Sequence, residues 1–170
     1  CGGGTQTAAV AFSGRTPPVN NSASTEEYDG SSWTAGNDMN TARRLITAGS
    51  GFGTQTAGLA VNGLVTAKDT SVEEYNGTSW SEVNSTNTSR YSAGLSGIQT
   101  NAIYFGGQKS PGSATETESY DGTSWTETSD LGTGREGLSG SGTAVAGLAT
   151  SGYVAPAVKA NTEEFHITHS

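Results

Sequence analysis

Chemistry in this chain would have to come from a short list of side chains. Its two histidines, His166 and His169, sit in the last five residues. On a strand an offset of three puts them on opposite faces, so they support neither a zinc pair nor a Ser-His-Asp arrangement. Carboxylates come in close pairs: Glu26 and Glu27, Glu73 and Glu74, Glu116 and Glu118, Glu163 and Glu164. Such pairs can act as general acid and base, but these recur in every segment of the chain as scaffold residues do, whereas an active site breaks a repeat. None has the spacing of a calcium loop. The glycine-rich runs at 2–4 (GGG) and 49–53 (GSGFG) lack the Lys-Ser/Thr ending of a phosphate loop and open no helix. Cys1 is the single cysteine and can make neither an intrachain disulfide nor a cysteine-rich zinc site. The residues point away from catalysis, and no metal or cofactor is expected.

The eight basic residues divide into two groups. Arg43, Arg90 and Arg135 are 47 and 45 residues apart and each precedes a run of small residues, with Arg44 beside the first. One arginine and two acids per segment suggest a structural ion pair, for which the planar guanidinium is well suited, in preference to an anion site. Arg15, Lys68, Lys109 and Lys159 instead fall in the stretches 15–24, 64–70, 108–114 and 153–161, which differ in length and hold all four prolines. These are candidate binding residues, because variable loops on a rigid scaffold are where recognition usually resides. The competing reading is ordinary solvated loops.

The elements that position these residues follow from an internal repeat. The sequence reads TEEYDGSSW at 25–33, SVEEYNGTSW at 71–80 and TESYDGTSW at 117–125, and TEEF begins a further copy at Thr162. Tyr28, Tyr75, Tyr120 and Phe165 are spaced by 47, 45 and 45 residues, and Trp33, Trp80 and Trp125 by 47 and 45. Each unit holds four strand-length segments, A to D, and none shows the 3.6-residue period of a helix. A is the small-residue run after the arginine, as at 91–97. B is an apolar run such as 102–106, C the acidic-aromatic run such as 115–120, and D begins at the tryptophan. Asp29-Gly30, Asn76-Gly77 and Asp121-Gly122 predict two-residue type I′ hairpins between C and D. A four-stranded antiparallel unit recurring about every 46 residues is the pattern of a propeller blade. Approximate repeats are 1–42, 43–89, 90–134 and 135–170, forming a single domain over 1–170.

Arg90, AIYFGG at 102–107, SYDGTSW at 119–125 and Arg135 together resemble the kelch motif. The resemblance covers the whole chain and implies an all-β, kelch-like β-propeller of about four blades with incomplete terminal blades. The motif's glycine doublet is intact at Gly106-Gly107 and reads Ser13-Gly14, Asn62-Gly63 and Ser151-Gly152 elsewhere. In that fold the small residues Ser92, Ala93, Gly94 and Ser96 would line a narrow channel, and Tyr75, Trp80, Tyr120 and Trp125 would bury large faces between sheets. The B-C and D-A loops would share a face and gather the positive charge there. The first unit enters just before strand B and the last stops on strand C, which predicts a portion of a longer array or a ring completed by other copies.

With 32% hydrophobic and 14% charged residues and 25 glycines, composition alone would suggest disorder, but 13 aromatic residues, seven of them in the repeat columns, argue for a packed core. A formal charge of -8 disfavours nucleic acid as a partner, and no apolar stretch is long enough to insert as a membrane helix. The Thr/Gly/Ala-rich wording is similar to kelch-type arrays of phages of aquatic bacteria. That likeness implies a non-catalytic structural or adhesive module of an extracellular assembly, in the first instance a virion appendage or decoration protein, with other subunits and cell-surface glycan as partners. The alternatives are a cellular kelch module that recognises a protein or glycan through its loop face, and a carbohydrate-active enzyme.

Overall fold

The computed structural model describes residues 1–18, 20–46 and 54–166, so the stretch at 49–53 and His169 lie outside the described residues. These residues form β-strands and connections, with no helix. The first sheet contains β1 (Gly2–Thr5), β2 (Ala8–Thr16), β3 (Asn20–Tyr28) and β4 (Trp33–Ala35), in that order. The second contains β5 (Gly58–Leu64), β6 (Lys68–Tyr75) and β7 (Trp80–Val83). The third contains β8 (Gly94–Ile98), β9 (Asn101–Phe105), β10 (Thr117–Tyr120) and β11 (Trp125–Thr128). The fourth contains β12 (Ser139–Gly142), β13 (Ala146–Thr150) and β16 (Thr162–His166). The connection from β13 to β16 carries a small hairpin of β14 (Tyr153–Val154) and β15 (Ala157–Val158). All pairings are antiparallel.

Two details differ from the expectations. The first sheet does not start at strand B: Gly2–Thr5 pairs with Ala8–Ala11 through a tight turn and supplies its strand A. Nor are the C-D connections type I′ turns. Tyr28 pairs with Trp33, Tyr75 with Trp80 and Tyr120 with Trp125, which leaves four-residue loops. Gly30, Gly77 and Gly122 have positive φ but the preceding Asp or Asn does not. The aspartate is needed for its side chain: Asp29 Oδ1 accepts from the N–H groups of Ser31 and Ser32 at 2.8 and 2.9 Å, and Asn76 and Asp121 repeat the arrangement. These bonds draw the Asp29 carboxyl down to about 2 and lower that of Asp121.

Successive sheets pack face to face, and a separate apolar core fills each junction. Val10 and Phe12 of the first sheet meet Ala60, Tyr75 and Trp80 of the second. Leu59, Val61 and Val72 of the second meet Tyr104, Tyr120 and Trp125 of the third. Ile103 and Phe105 of the third meet Leu138, Ala149 and Phe165 of the fourth. Period-two alternation explains the division, since rear and front residues of one strand serve different junctions. Each buried ring contributes roughly 2–3 kcal/mol of transfer free energy, which is how a polar chain sustains a core.

Small residues let the first strands approach. A Cβ on Gly94 would stand 2.2 Å from Phe105 Cε2, and one on Gly140 2.2 Å from the Leu95 carbonyl oxygen. Ser96 Oγ donates to the Ser141 carbonyl at 3.0 Å between β8 and β12. A backbone staircase runs beside them, with the Ser92 N–H donating to Leu45 O at 3.1 Å and the Gly137 N–H to Ser92 O at 2.7 Å.

Candidate functional site

The repeated arginines are fully buried, each under a strand-C glutamate of its own sheet. Arg43 pairs with Glu73, Arg90 with Glu118 at 2.8 Å and Arg135 with Glu163 at 2.9 Å. Each guanidinium also donates to carbonyls, as Arg135 does to Ser151 and Asn161 at 3.0 and 2.7 Å. The second carboxylate oxygen holds the arm arriving from the previous sheet: Glu73 Oε2 accepts from Asn40 N–H and Nδ2, and Glu118 Oε2 from Asn87 in the same way. The arginine carbonyl ties the arm back, accepting the Gly14 N–H at 3.3 Å at Arg43 and the Gly107 N–H at 2.8 Å at Arg135. At Arg43 and Arg135 one residue thus welds two sheets. Because these three arginines are buried and paired with carboxylates, they add no net charge to the loop face, which corrects the expectation that the positive charge gathers there.

The doublet positions explain themselves in the same geometry. Ser13, Asn62, Gly106 and Ser151 all have φ between 54° and 65°, followed by Gly14, Gly63, Gly107 and Gly152 at positive φ. The strained non-glycine residues gain bonds in exchange: Ser13 Oγ donates to Arg43 O at 2.6 Å, and Asn62 links Thr86 and Thr88.

The loop residues are distributed unevenly. Lys68 and Lys109 line one cleft of about 620 Å³ between the second and third sheets, with Leu64, Thr88, Tyr91 and Ser110. Neither Arg15 nor Lys159 lines it. Arg15 lies within β2 opposite Asn21, because β2 runs on to Thr16 and β3 already begins at Asn20. Lys159 follows β15, its N–H donating to Gly152 O at 2.8 Å. Lys109 is paired with Glu116, whereas Lys68 has no carboxylate partner among the described residues. Lys68 opens β6 opposite Leu64, and the short connection before it is anchored to the first sheet, since Asn21 Nδ2 donates to Val65 O at 2.9 Å and Arg44 to Asn21 Oδ1 at 2.6 Å. The cleft therefore offers one free ammonium group, one shared one and a tyrosine edge, which suits an anionic or hydroxyl-rich ligand.

A second cleft, of about 400 Å³, runs along β16 and is acidic, with Asp130, Glu163, Glu164 and His166 in its wall. Among the described residues no group of three or more His, Cys, Asp or Glu is arranged to hold a metal ion.

No protein-family model matches the chain, and no curated protein sequence does. Among solved structures the one titled "Structure of YjhT" is similar, with a TM-score of 0.71 at 12% identity over 86% of this chain and 50% of that one. At this identity the likeness concerns the all-β fold. The chain spans about half the length of YjhT.

Sequence reasoning missed the bonds between sheets. Glu27 accepts the Tyr75 hydroxyl, Glu74 accepts the Tyr120 hydroxyl at 3.0 Å, and Thr25 Oγ1 accepts Trp80 Nε1–H at 2.9 Å. The signal available was parity: adjacent residues on strand C point to opposite faces, so Glu73 turns to Arg43 while Glu74 turns to Tyr120 of the next sheet.

Proposed function

We propose that this chain is a kelch-like β-propeller module, or a portion of one, without a catalytic role, and that it serves as a structural or adhesive part of a larger extracellular assembly. A phage virion appendage or decoration protein is the leading instance. What supports the propeller reading is the succession of short antiparallel sheets in chain order, joined by the repeated arginine and by a strand-C aromatic at each junction, with tryptophan at the first two. The virion placement is supported by the resemblance in sequence wording.

The observation that carries the adhesive role is the division of labour among side chains. The residues that repeat are consumed in the junctions, while the residues that do not repeat, Lys68 and Lys109 among them, form an open cleft. The same cleft also suits a cellular kelch-type module that recognises a protein or glycan. In either case the test is retention of the purified chain on an immobilised anionic polysaccharide, with heparin as the probe and neutral dextran as the control. Selective retention that is lost in the Lys68→Ala/Lys109→Ala variant supports the reading. Equal retention of the variant, or none of either protein, overturns the loop-face assignment.

A further inference from the structure

Each of the first two junctions is built from aromatic residues on the front of the later sheet and acceptors on the rear of the earlier one. At the first, the Tyr75 hydroxyl meets Glu27 and Trp80 Nε1 meets Thr25. At the second, the Tyr120 hydroxyl meets Glu74. The corresponding residues of the first sheet, Tyr28 and Trp33, face no sheet among the described residues. Their rings touch each other at 5.1 Å, and Trp33 is 50% exposed where Trp80 and Trp125 are 6% and 7% exposed.

At the other end of the stack the acceptors recur with no sheet beyond them among the described residues. Thr162 and Glu164 of β16 stand where Thr25 and Glu27 stand in β3, and both are exposed. Glu164 meets His166 Nε2 at 3.3 Å, and Leu148 lies opposite it in β13 as Val10 lies opposite Glu27. The two ends of the molecule carry the two halves of one junction.

We propose that a second copy of this chain docks here, the front of its first sheet against the rear of the fourth, with Tyr28 donating to Glu164 and Trp33 covering Leu148 and Thr162. A second copy is the occupant because it brings matching donors, acceptors and an apolar ring in the register that the chain already uses twice. The length of YjhT agrees, since in that similar fold about as much chain again accompanies the matched part. The contact is heterologous, one face meeting a different face, so two or more chains join head to tail and close if the rotation allows. This inference rests on the reading of the chain as an assembly module. Glycan retention does not depend on it, so the two fail separately.

The test is sedimentation velocity of the intact chain over a concentration series. The wild-type chain is expected to associate reversibly, while Trp33→Ala and Glu164→Lys each lower the association constant by roughly thirtyfold or more, as loss of a central aromatic anchor does. Both sites are exposed, so circular dichroism and melting of each variant should match wild type. An equimolar mixture of the two should form a dimer and nothing larger, because Trp33→Ala keeps an intact rear face and Glu164→Lys an intact front face. A wild-type chain that stays monomeric, variants that associate as wild type does, or a mixture that remains monomeric would each overturn the proposal.

Discussion

The Tyr120 hydroxyl donates to Glu74 Oε1 at 3.0 Å across the junction between the second and third sheets, and at the next junction both members of this pair are replaced together. Ser119 stands at the position of Glu74, and Phe165 at the position of Tyr120. With no carboxylate behind it a tyrosine there would bury a hydroxyl without a partner, so the chain uses a ring that needs none. Phe165 packs on Phe105 with centroids 4.9 Å apart. The glutamate and tyrosine are one device, present or absent as a unit.

A double-mutant cycle tests that coupling. Phe165→Tyr alone is expected to destabilise the chain by about 1–2 kcal/mol, the cost of an unsatisfied buried hydroxyl, and Ser119→Glu added to it should recover most of the loss. Urea unfolding of the four proteins reads the interaction term, and additive effects would sink the idea.

The same bonds set an alkaline limit. Burial and the Glu27 carboxylate push the Tyr75 hydroxyl up to about 12, and burial with Glu74 raises Tyr120 as well. A folded-state pKa above the unfolded value contributes stability that is complete below about pH 10 and lost as pH rises through the folded value. Stability should therefore decline between about pH 10 and 12, and Glu27→Gln should bring the Tyr75 titration, followed by tyrosinate absorbance, to lower pH.

At the acid end the hairpin aspartates work in the opposite sense. Asp29 is depressed to about 2 by the N–H groups of Ser32 and Ser31 and by the Ser31 hydroxyl. Its contribution is present above the unfolded value near 3.9 and lost as pH falls toward about 2. Asn76 makes the equivalent backbone bonds in the second hairpin without a charge to titrate. Asp29→Asn should keep the turn and flatten this part of the acid limb. A carbon-detected NMR titration that placed the Asp29 midpoint near 4 would contradict the assignment.

The periodic columns were legible because each residue type meets the same need in every unit: an aromatic ring between sheets, an arginine under a glutamate, a doublet at positive φ. What escaped was set by neighbours from other units. Asp29-Gly30 reads as a tight turn until the aspartate side chain is seen capping the two N–H groups that follow. Gly2–Thr5 carries little strand propensity and becomes a strand by pairing with Ala8–Ala11. The arginines suggest ion pairs from their repeat with the glutamates, but their complete burial depends on carbonyls brought in from later in the unit, such as Gly106 and Glu116 at Arg90. Lys68 and Lys109 meet in one cleft only because two sheets bring their loops together.

Removing one partner of a buried Arg–Glu weld leaves the other charge stranded. Glu118→Ala and Arg90→Ala should each cost about 3–5 kcal/mol, and the arginine variant also loses its contact with the Tyr104 ring, 4.4 Å from centroid to Cζ. Glu26 provides the control, since it holds the same repeat position but is exposed and has no arginine partner among the described residues. Glu26→Ala should leave the denaturation midpoint unchanged, and a comparable loss there would show that the cost lies in strand C and not in the pair.

Trp125 gives the sharpest test of the junction chemistry. Trp80 Nε1–H reaches Thr25 Oγ1, but the residue at the position of Thr25 in the second sheet is Val72, and Trp125 Nε1 is buried with no acceptor among the described residues. A lone buried N–H forgoes about 1–3 kcal/mol. Val72→Thr changes one methyl group to a hydroxyl at nearly constant volume, so the new acceptor should offset the cost of a polar atom in that core and leave stability equal to wild type or higher. Thr25→Val makes the reverse change and should destabilise by about 1–2 kcal/mol. The indole N–H proton resonances of Trp125 and Trp80 provide the independent readout, because a gained hydrogen bond moves Trp125 downfield and a lost one moves Trp80 upfield. If Val72→Thr destabilises as much as Thr25→Val, the indole bond is not what these positions select for.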